Sequence, residues 1–335
     1  MFQNQNNISL QDGYEFIIKH VSGALHFKLI NTLLRLGICD ILDDGVPRTH
    51  QELASIVNIP EEGMFKILRY FTFHKLFTEN EVDGITTFSK SNYSEFFTKG
   101  HKLFGVANMF SSDLYYDLFK STPDSFFGNS SGVPNSMNVA HTWDLLDSES
   151  NKVYFKNAMN SATEAICEEI INKVDFSQSK VIVDVGGSHG QLISSILEKY
   201  PSIEKGINFD LEKVIVTNKK PTDPRLEHVS GSFFESVPAG DSYILRQIIH
   251  DWSDEDSVKI INTISNSMKP GGKLYIFDYV IDNNNYQHDS LYFDMKMYHF
   301  FHGQERTESQ FRKLLDQCGF KIDFIFRIGL VASKK

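Results

Sequence analysis

An α/β protein, with an open and mainly parallel sheet preceded by a smaller, mostly helical domain, is the fold this 335-residue chain predicts. Three observations carry the expectation. Strand-like and helix-like segments alternate from Lys180 onward; helix, turn, helix and hairpin signals follow one another before Gly100; and a glycine-rich turn stands directly after the first strand of the alternating part. Hydrophobic residues make up 41% of the chain and charged residues 23%, a balance that excludes disorder as the main state.

The stretch from Leu10 to Asp43 repeats apolar residues at helical spacing, with so few charges that more than one face has to be covered by a partner. Thr49 to Ile56 and Glu62 to Phe71 read as two short helices separated by a break at Ile59-Pro60. Leu76 to Thr78 and Ile85 to Phe88 then flank Asp83-Gly84, a dipeptide suited to the left-handed backbone of a two-residue hairpin turn. This is the order of a winged helix, a module that often places its second helix in a DNA major groove. Charge argues against that use. Between Leu36 and Gly100 the six basic residues Arg48, Lys66, Arg69, Lys75, Lys90 and Lys99 are outnumbered by ten acidic ones, and the whole chain carries a formal charge of −10. Phosphate contacts supply most nucleic-acid affinity, so a structural or dimerising role is expected and nucleic acid is not expected as a partner. A helical middle follows, in which Ser125 to Asn138 is expected to be irregular because Gly, Ser, Asn and Pro dominate it.

From Lys180 the segments KVIVDV, QLISSILEKY, KGINFDL, KVIVTN, DSYILRQ, SVKIINTISNSM and KLYIFDYV alternate strand with helix, which implies right-handed crossovers and a parallel sheet. A helix from Glu308 to Cys318 and two last strands, expected as an antiparallel edge pair, complete the chain.

The chemistry gathers at the carboxyl ends of these strands, where open α/β sheets bind ligands. Asp184-Val185-Gly186-Gly187-Ser188-His189-Gly190 ends one strand and opens a helix, and its glycines permit positive φ and close approach of a ligand to the backbone. Asp210 ends the next strand, at the separation of about twenty residues that suits a carboxylate receiving ribose hydroxyls. A nicotinamide dinucleotide and S-adenosylmethionine both satisfy these features. The order Gly186, Gly187, Gly190 departs from the G-x-G-x-x-G that makes room for pyrophosphate, so a ligand without pyrophosphate is expected. Downstream, YILRQIIHDWSD (Tyr243 to Asp254) delivers a titratable imidazole, His250, to the same end of the sheet.

Taken together, VIVDVGG, GINFDL, HVSGSFFESVPAGD, HDWSDED, KPGGKLYIFDYVI and GQERTESQFRKLLDQCGF resemble the small-molecule O-methyltransferases of the caffeic acid and hydroxyindole type. They fall in that family's order, densely over the C-terminal half and by general layout over the rest. The resemblance implies a Rossmann-like methyltransferase domain over 166–335, a winged-helix-like dimerisation domain over 8–100, and between them a helical linker, 101–165, that contributes to the acceptor pocket. It implies S-adenosylmethionine as cofactor, S-adenosylhomocysteine as product, a homodimer, and a small aromatic hydroxyl compound as acceptor.

Residue by residue, the resemblance makes His250 the general base, flanked by Glu305 in QERT and by Asp278, where the family has the longer Glu. A neutral imidazole with a pKa of about 6.5 can take a proton from a phenol of pKa about 10 when the two are held together, and this chemistry needs no metal. For the cofactor it implies Asp184, Gly186, Gly187, Gly190, Asp210, Ser232, Phe233 and Arg246. Ser188 stands at the family's third glycine, Ser232 at an acidic residue that contacts adenine, and Arg246 at a lysine. For the acceptor it implies Phe155, Met159 and Met297, able to clamp a flat ring. These departures also leave room for a catalytically silent relative that keeps the fold as a binding module.

The remaining signals are plainer. His299 and His302 have a spacing that can ligate a metal with Glu305, but Gly303 interrupts the segment and no metal is expected. Asp251 is a candidate cap of the next helix, Trp252 a packing residue, and Asp254-Glu255-Asp256 that helix's first turn. Cys39, Cys167 and Cys318 are too scattered for a disulfide framework, and the polar start MFQNQNNISLQDG lacks the pattern of a signal peptide. No apolar run approaches a membrane span, so a cytoplasmic protein without membrane contact is expected.

Overall fold

A computed structural model describes residues 9–127, 132–139, 142–146, 148, 163–164, 166–217, 220–286 and 288–335. The chain divides into two compact units, one reaching to Tyr116 and the other formed by the described residues from Asp117 onward.

In the first unit, Ser9 and Asp12 make a reciprocal capping box for the helix Leu10–Val21, and Gly37 in the left-handed conformation ends the helix Gly23–Leu36. The helix Leu10–Val21 buries no side chain within the chain and leaves Tyr14, Phe16, Ile17 and Ile18 exposed. The two short helices form as His50–Val57 and Glu61–Phe73, the first capped by Thr49 and Glu52. The hairpin joins strands β2 (Phe77–Val82) and β3 (Ile85–Lys90), and Asp83 and Gly84 take φ of 53° and 74°, as their sequence predicts. A two-residue strand β1 (Arg48–Thr49) pairs with the other edge of β3. Leu33, Ile38, Leu53, Leu68, Phe71 and Phe88 fill the core beneath.

The second unit is built on a seven-stranded sheet. Its strands are β4 (Val181–Val185), β5 (Lys205–Asp210), β6 (Leu226–Ser230), β7 (Gly240–Arg246), β8 (Met268–Phe277), β11 (Phe320–Phe326) and β12 (Gly329–Lys334). Their order is β11-β12-β8-β7-β4-β5-β6. The five strands from β4 to β8 run parallel, and β12 and β11 add antiparallel at one edge, as expected of the chain's ending. The strand order reverses between β4 and β7, which opens a crevice at their carboxyl ends. Val183, Val185, Tyr243, Leu245, Leu274 and Ile276 are buried because the sheet is covered on both faces. A separate pair, β9 (Val280–Ile281) and β10 (Arg306–Thr307), lies parallel in register beside the crevice.

Two expectations change. The stretch expected to be irregular contains a helix, Gly132–Met137. Gly132 makes it possible: its N–H donates to Ser125 Oγ at 2.9 Å, and a Cβ there would collide with Ser121 O and Ser125 Oγ, so packing overrides composition. Strand β6 was not anticipated, because its sequence LEHVS is short and half-buried at the sheet's edge. Among the described residues no helix is long and apolar enough to cross a membrane.

Leu68 is fully buried in the first unit. Leu68→Ala is expected to cost about 2–5 kcal/mol, from lost burial and the cavity left behind. A thermal melt followed by circular dichroism, with an unchanged midpoint as the contrary result, checks it.

Candidate active site

The glycine turn leaves β4 with Gly186 and Gly190 at φ of 73° and 74°, and Ser188 at 53°, a left-handed value that costs a non-glycine residue. A Cβ at Gly187 would strike Asn208 Oδ1 and the Asp184 carboxyl, and one at Gly186 would strike Ile248 and approach Phe233. The turn therefore has no room for a side chain at these two positions. Asp210 closes β5 and holds the turn: its carboxylate accepts the Ser188 N–H at 2.8 Å and the Leu211 N–H at 2.7 Å. Gly231, next to Ser232, donates its N–H to the Asp210 carbonyl at 3.0 Å, and Phe233 packs edge-on against Trp252. Asp184, Gly186, Gly187, Gly190, Asp210, Ser232 and Phe233 are thus gathered by local contacts around the ends of β4, β5 and β6.

Arg246 ends β7, and its guanidinium donates to Thr163 Oγ1 at 2.6 Å and to Gln247 Oε1 at 2.8 Å. Burial pushes the Asp184 carboxyl up to about 7, with Arg246 opposing and Asp210 reinforcing the rise. Asn208 is a residue that the sequence reading missed. It is fully buried in β5, donates to Ser188 O at 2.9 Å, and keeps an Oδ1 without a hydrogen-bond partner beneath the turn.

Beyond Arg246 a turn of 3-10 helix, Ile249–Asp251, presents His250. His250 is 5% exposed, and its Nδ1 lies 2.7 Å from Glu305 Oε1. A carboxylate only accepts, so Nδ1–H donates and the orientation of the ring is set. Asp278 does not reach the ring: its Oδ2 accepts the backbone N–H of His250 at 3.1 Å, and its Oδ1 is buried without a partner, as is Glu305 Oε2. The β9–β10 pair holds these acids in place, since Asp278 lies just before β9 and Glu305 just before β10. Gly303 allows the close approach, because a Cβ there would collide with the His250 carbonyl, and Gln304 N–H donates to that carbonyl at 2.9 Å.

Arg306, 1% exposed, was also missed. It donates to Ile249 O at 2.9 Å, Trp252 O at 3.0 Å and Asp254 Oδ1 at 2.8 Å, and so clamps the histidine turn from both sides. Asp251 does not cap the next helix. Ser253 does, accepting the Asp256 N–H at 3.1 Å, while Asp251 turns back and places Oδ1 3.5 Å from His250 Nε2. Trp252 packs, and Asp254, Glu255 and Asp256 form the first turn of that helix.

Burial alone would lower the basicity of His250, but the carboxylates of Glu305, Asp278 and Asp251 outweigh it and raise its pKa to about 10. Burial raises Asp251 to about 7 and Asp278 to about 6. Met297 is buried on the helix His288–Phe301, where its carbonyl accepts the Gly303 N–H at 3.2 Å. Phe155 and Met159 lie outside the described residues. His299 turns to Ser125 Oγ at 2.6 Å and Leu118 O at 2.9 Å while Glu305 turns to His250, so these two do not converge on a common point.

An O-methyltransferase domain model matches residues 113–321, and an O-methyltransferase dimerisation domain model matches residues 18–100. The chain belongs to the O-methyltransferase family. It is 39% identical over 338 residues to O-methyltransferase 4 of Dictyostelium discoideum, covering 99% of both chains. To probable inactive O-methyltransferase 11 of the same organism it is 34% identical over 317 residues, 93% of this chain and 94% of that one. To flavonoid 4'-O-methyltransferase 4 of Mentha piperita it is 29% identical over 312 residues, 89% of each. The solved structure of human N-acetylserotonin methyltransferase in complex with SAM superposes with a TM-score of 0.86 at 20% identity, covering 100% of this chain and 99% of that one, and so has the same fold.

The geometry of this methyltransferase carries three predictions. Replacing Glu305 by Gln removes the negative charge beside Nδ1, so the imidazole loses its proton at lower pH than in the wild type. Histidine NMR titration reads this directly, and an unchanged His250 midpoint contradicts it. The sign for stability is fixed as well. A pKa raised from 6.5 to about 10 on folding contributes stability that is complete below about pH 6.5 and lost as pH rises toward 10. Gly187→Ala is expected to weaken cofactor affinity about tenfold or more by displacing Asn208 and Asp184, as measured by calorimetry with S-adenosylmethionine.

Proposed function

We propose that this protein transfers the methyl group of S-adenosylmethionine to a hydroxyl of a small aromatic acceptor, without a metal, and with His250 as general base. The observation that carries the reading is the Nδ1–Glu305 hydrogen bond at 2.7 Å, which commits one ring nitrogen and leaves Nε2 to handle the acceptor's proton. The cofactor supplies an activated methyl on a sulfonium. The chain's own residues orient and ionise the acceptor.

The glycine turn after β4 and the carboxylate of Asp210 at the end of β5 support that cofactor, a carboxylate there being the acceptor that ribose hydroxyls require. Phe233 supplies an apolar face, and Ser232, Arg246 and the buried Asp184 complete the proposed cofactor set. Met297 is proposed to line the acceptor pocket, together with Phe155 and Met159. Asp278 acts on the backbone of His250, so its role is to position the base. Independence from metal rests on the chemistry of the cofactor, whose sulfonium already activates the methyl group. The dimerisation-domain match and the exposed apolar helix Leu10–Val21 support a homodimer. The flavonoid-methylating relative supports an aromatic hydroxyl as acceptor.

A second reading, a silent relative, is favoured by Ser188 in its left-handed conformation and by the probable inactive relative. One experiment decides between them: transfer of a labelled methyl group to a panel of phenols and hydroxyindoles with chelator present. Chelator-resistant labelling is expected, and His250→Ala should reduce it roughly 10² to 10⁴-fold with cofactor affinity kept. Cofactor binding without labelling across the panel favours the silent reading, and full turnover by His250→Ala sinks the proposed base.

A further inference from the structure

Ser188 holds a left-handed backbone, with φ of 53°, at a place where glycine would adopt it without strain. Its flanking peptides therefore need anchors, and three successive residues of β5 supply them to the turn. The Phe209 carbonyl accepts the Gly186 N–H at 2.8 Å, the Asp210 carboxylate accepts the Ser188 N–H at 2.8 Å, and the Asn208 amide donates to the Ser188 carbonyl at 2.9 Å. Asn208 is fully buried and lies directly against the glycines. A Cβ at Gly187 would come within 2.2 Å of its Oδ1, and one at Gly190 within 3.2 Å of its Cγ and 3.3 Å of His228 Cε1.

His228 stands opposite Asn208 on β6, half-buried, with its Nδ1 3.1 Å from Asn208 Nδ2. The Ser188 carbonyl can only accept, so the amide atom facing it is the nitrogen. The second hydrogen of that amide then points to His228, and Nδ1 has to present a lone pair, which leaves the ring proton on Nε2. A proton on Nδ1 would set N–H against N–H, and turning the amide over would set Oδ1 against the Ser188 carbonyl.

We propose that Asn208 and His228, the latter as its Nε2–H tautomer, are positioning residues for the cofactor: they fix the Ser188 peptide and, through its N–H, the direction of the Asp210 carboxylate. The inference rests on S-adenosylmethionine as the cofactor and on Asp210 as the acceptor of its ribose hydroxyls. Neither side chain is required to touch the cofactor.

The test reads ring tautomer and cofactor affinity in the whole chain. In nitrogen-resolved histidine NMR spectra the neutral His228 ring is expected with an unprotonated Nδ1, and a ring protonated at Nδ1 overturns the inference. Calorimetric titration with S-adenosylmethionine is expected to show affinity falling about fivefold in His228→Leu and about tenfold or more in Asn208→Leu. His228→Asn, whose amide oxygen can accept in place of Nδ1, is expected to recover most of the loss. Unchanged affinity in both leucine variants, or an equal loss in His228→Leu and His228→Asn, overturns the inference. The histidine pair of variants is half-buried, so this comparison stands even if the buried Asn208 does not tolerate leucine. A wild type that binds no S-adenosylmethionine defeats the cofactor reading and the inference with it, whereas wild-type binding with unaffected variants defeats the inference alone.

Discussion

The hydrogen bond between His250 and Glu305 is the interaction on which the second unit's architecture converges. It joins residues 55 positions apart, both almost fully buried, and a misplaced partner would leave an uncompensated charge in the interior. The surrounding construction reads as the means of keeping that geometry. Gly303 brings the chain against the histidine turn, Gln304 bonds the His250 carbonyl, Arg306 clamps Ile249, Trp252 and Asp254, and the β9–β10 pair fixes the segments that carry Asp278 and Glu305. Several backbone-directed contacts thus set the position of one imidazole, which is how a buried polar site gains precision when each bond alone is worth little net.

The same cluster concentrates charge where a fold would otherwise place hydrocarbon. Asp251, Asp278 and Glu305 surround one histidine. Burial penalises every one of these charges separately, so their coexistence is a collective property of the site. Groups whose protonation states are pushed apart by one another and by burial mark functional sites more often than structural ones.

The cofactor side of the crevice is governed by sterics. Positive φ at Gly186 and Gly190, and the collisions that side chains at Gly186 and Gly187 would cause with Ile248, Asn208 and Asp184, show why this turn needs glycine. Ser188 tolerates a conformation that glycine would adopt without cost, and Asp210 holds its N–H. In the first unit the constraint is different: the helix Leu10–Val21 is well capped yet buries nothing within its own chain, so its apolar face belongs to association rather than to a core.

Much of this was legible in the sequence because the rules involved are local. Apolar runs of strand length, the Asp83-Gly84 turn, the glycine turn after VIVDV and the strand that ends in Asp210 depend on neighbours a few positions away, and they formed as read. The position of His250 at the end of β7 followed from the same pattern. Tertiary structure alone decided which acid meets the ring and which meets its backbone, that Ser253 and not Asp251 caps the following helix, and that Gly132–Met137 is helical. It also decided that Lys296 and Arg306 are buried rather than solvated. The physical reason is the same in each case. Burial and hydrogen-bond satisfaction are set by segments far apart in the chain, and a side chain's local sequence does not say which distant backbone or charge it will have to satisfy.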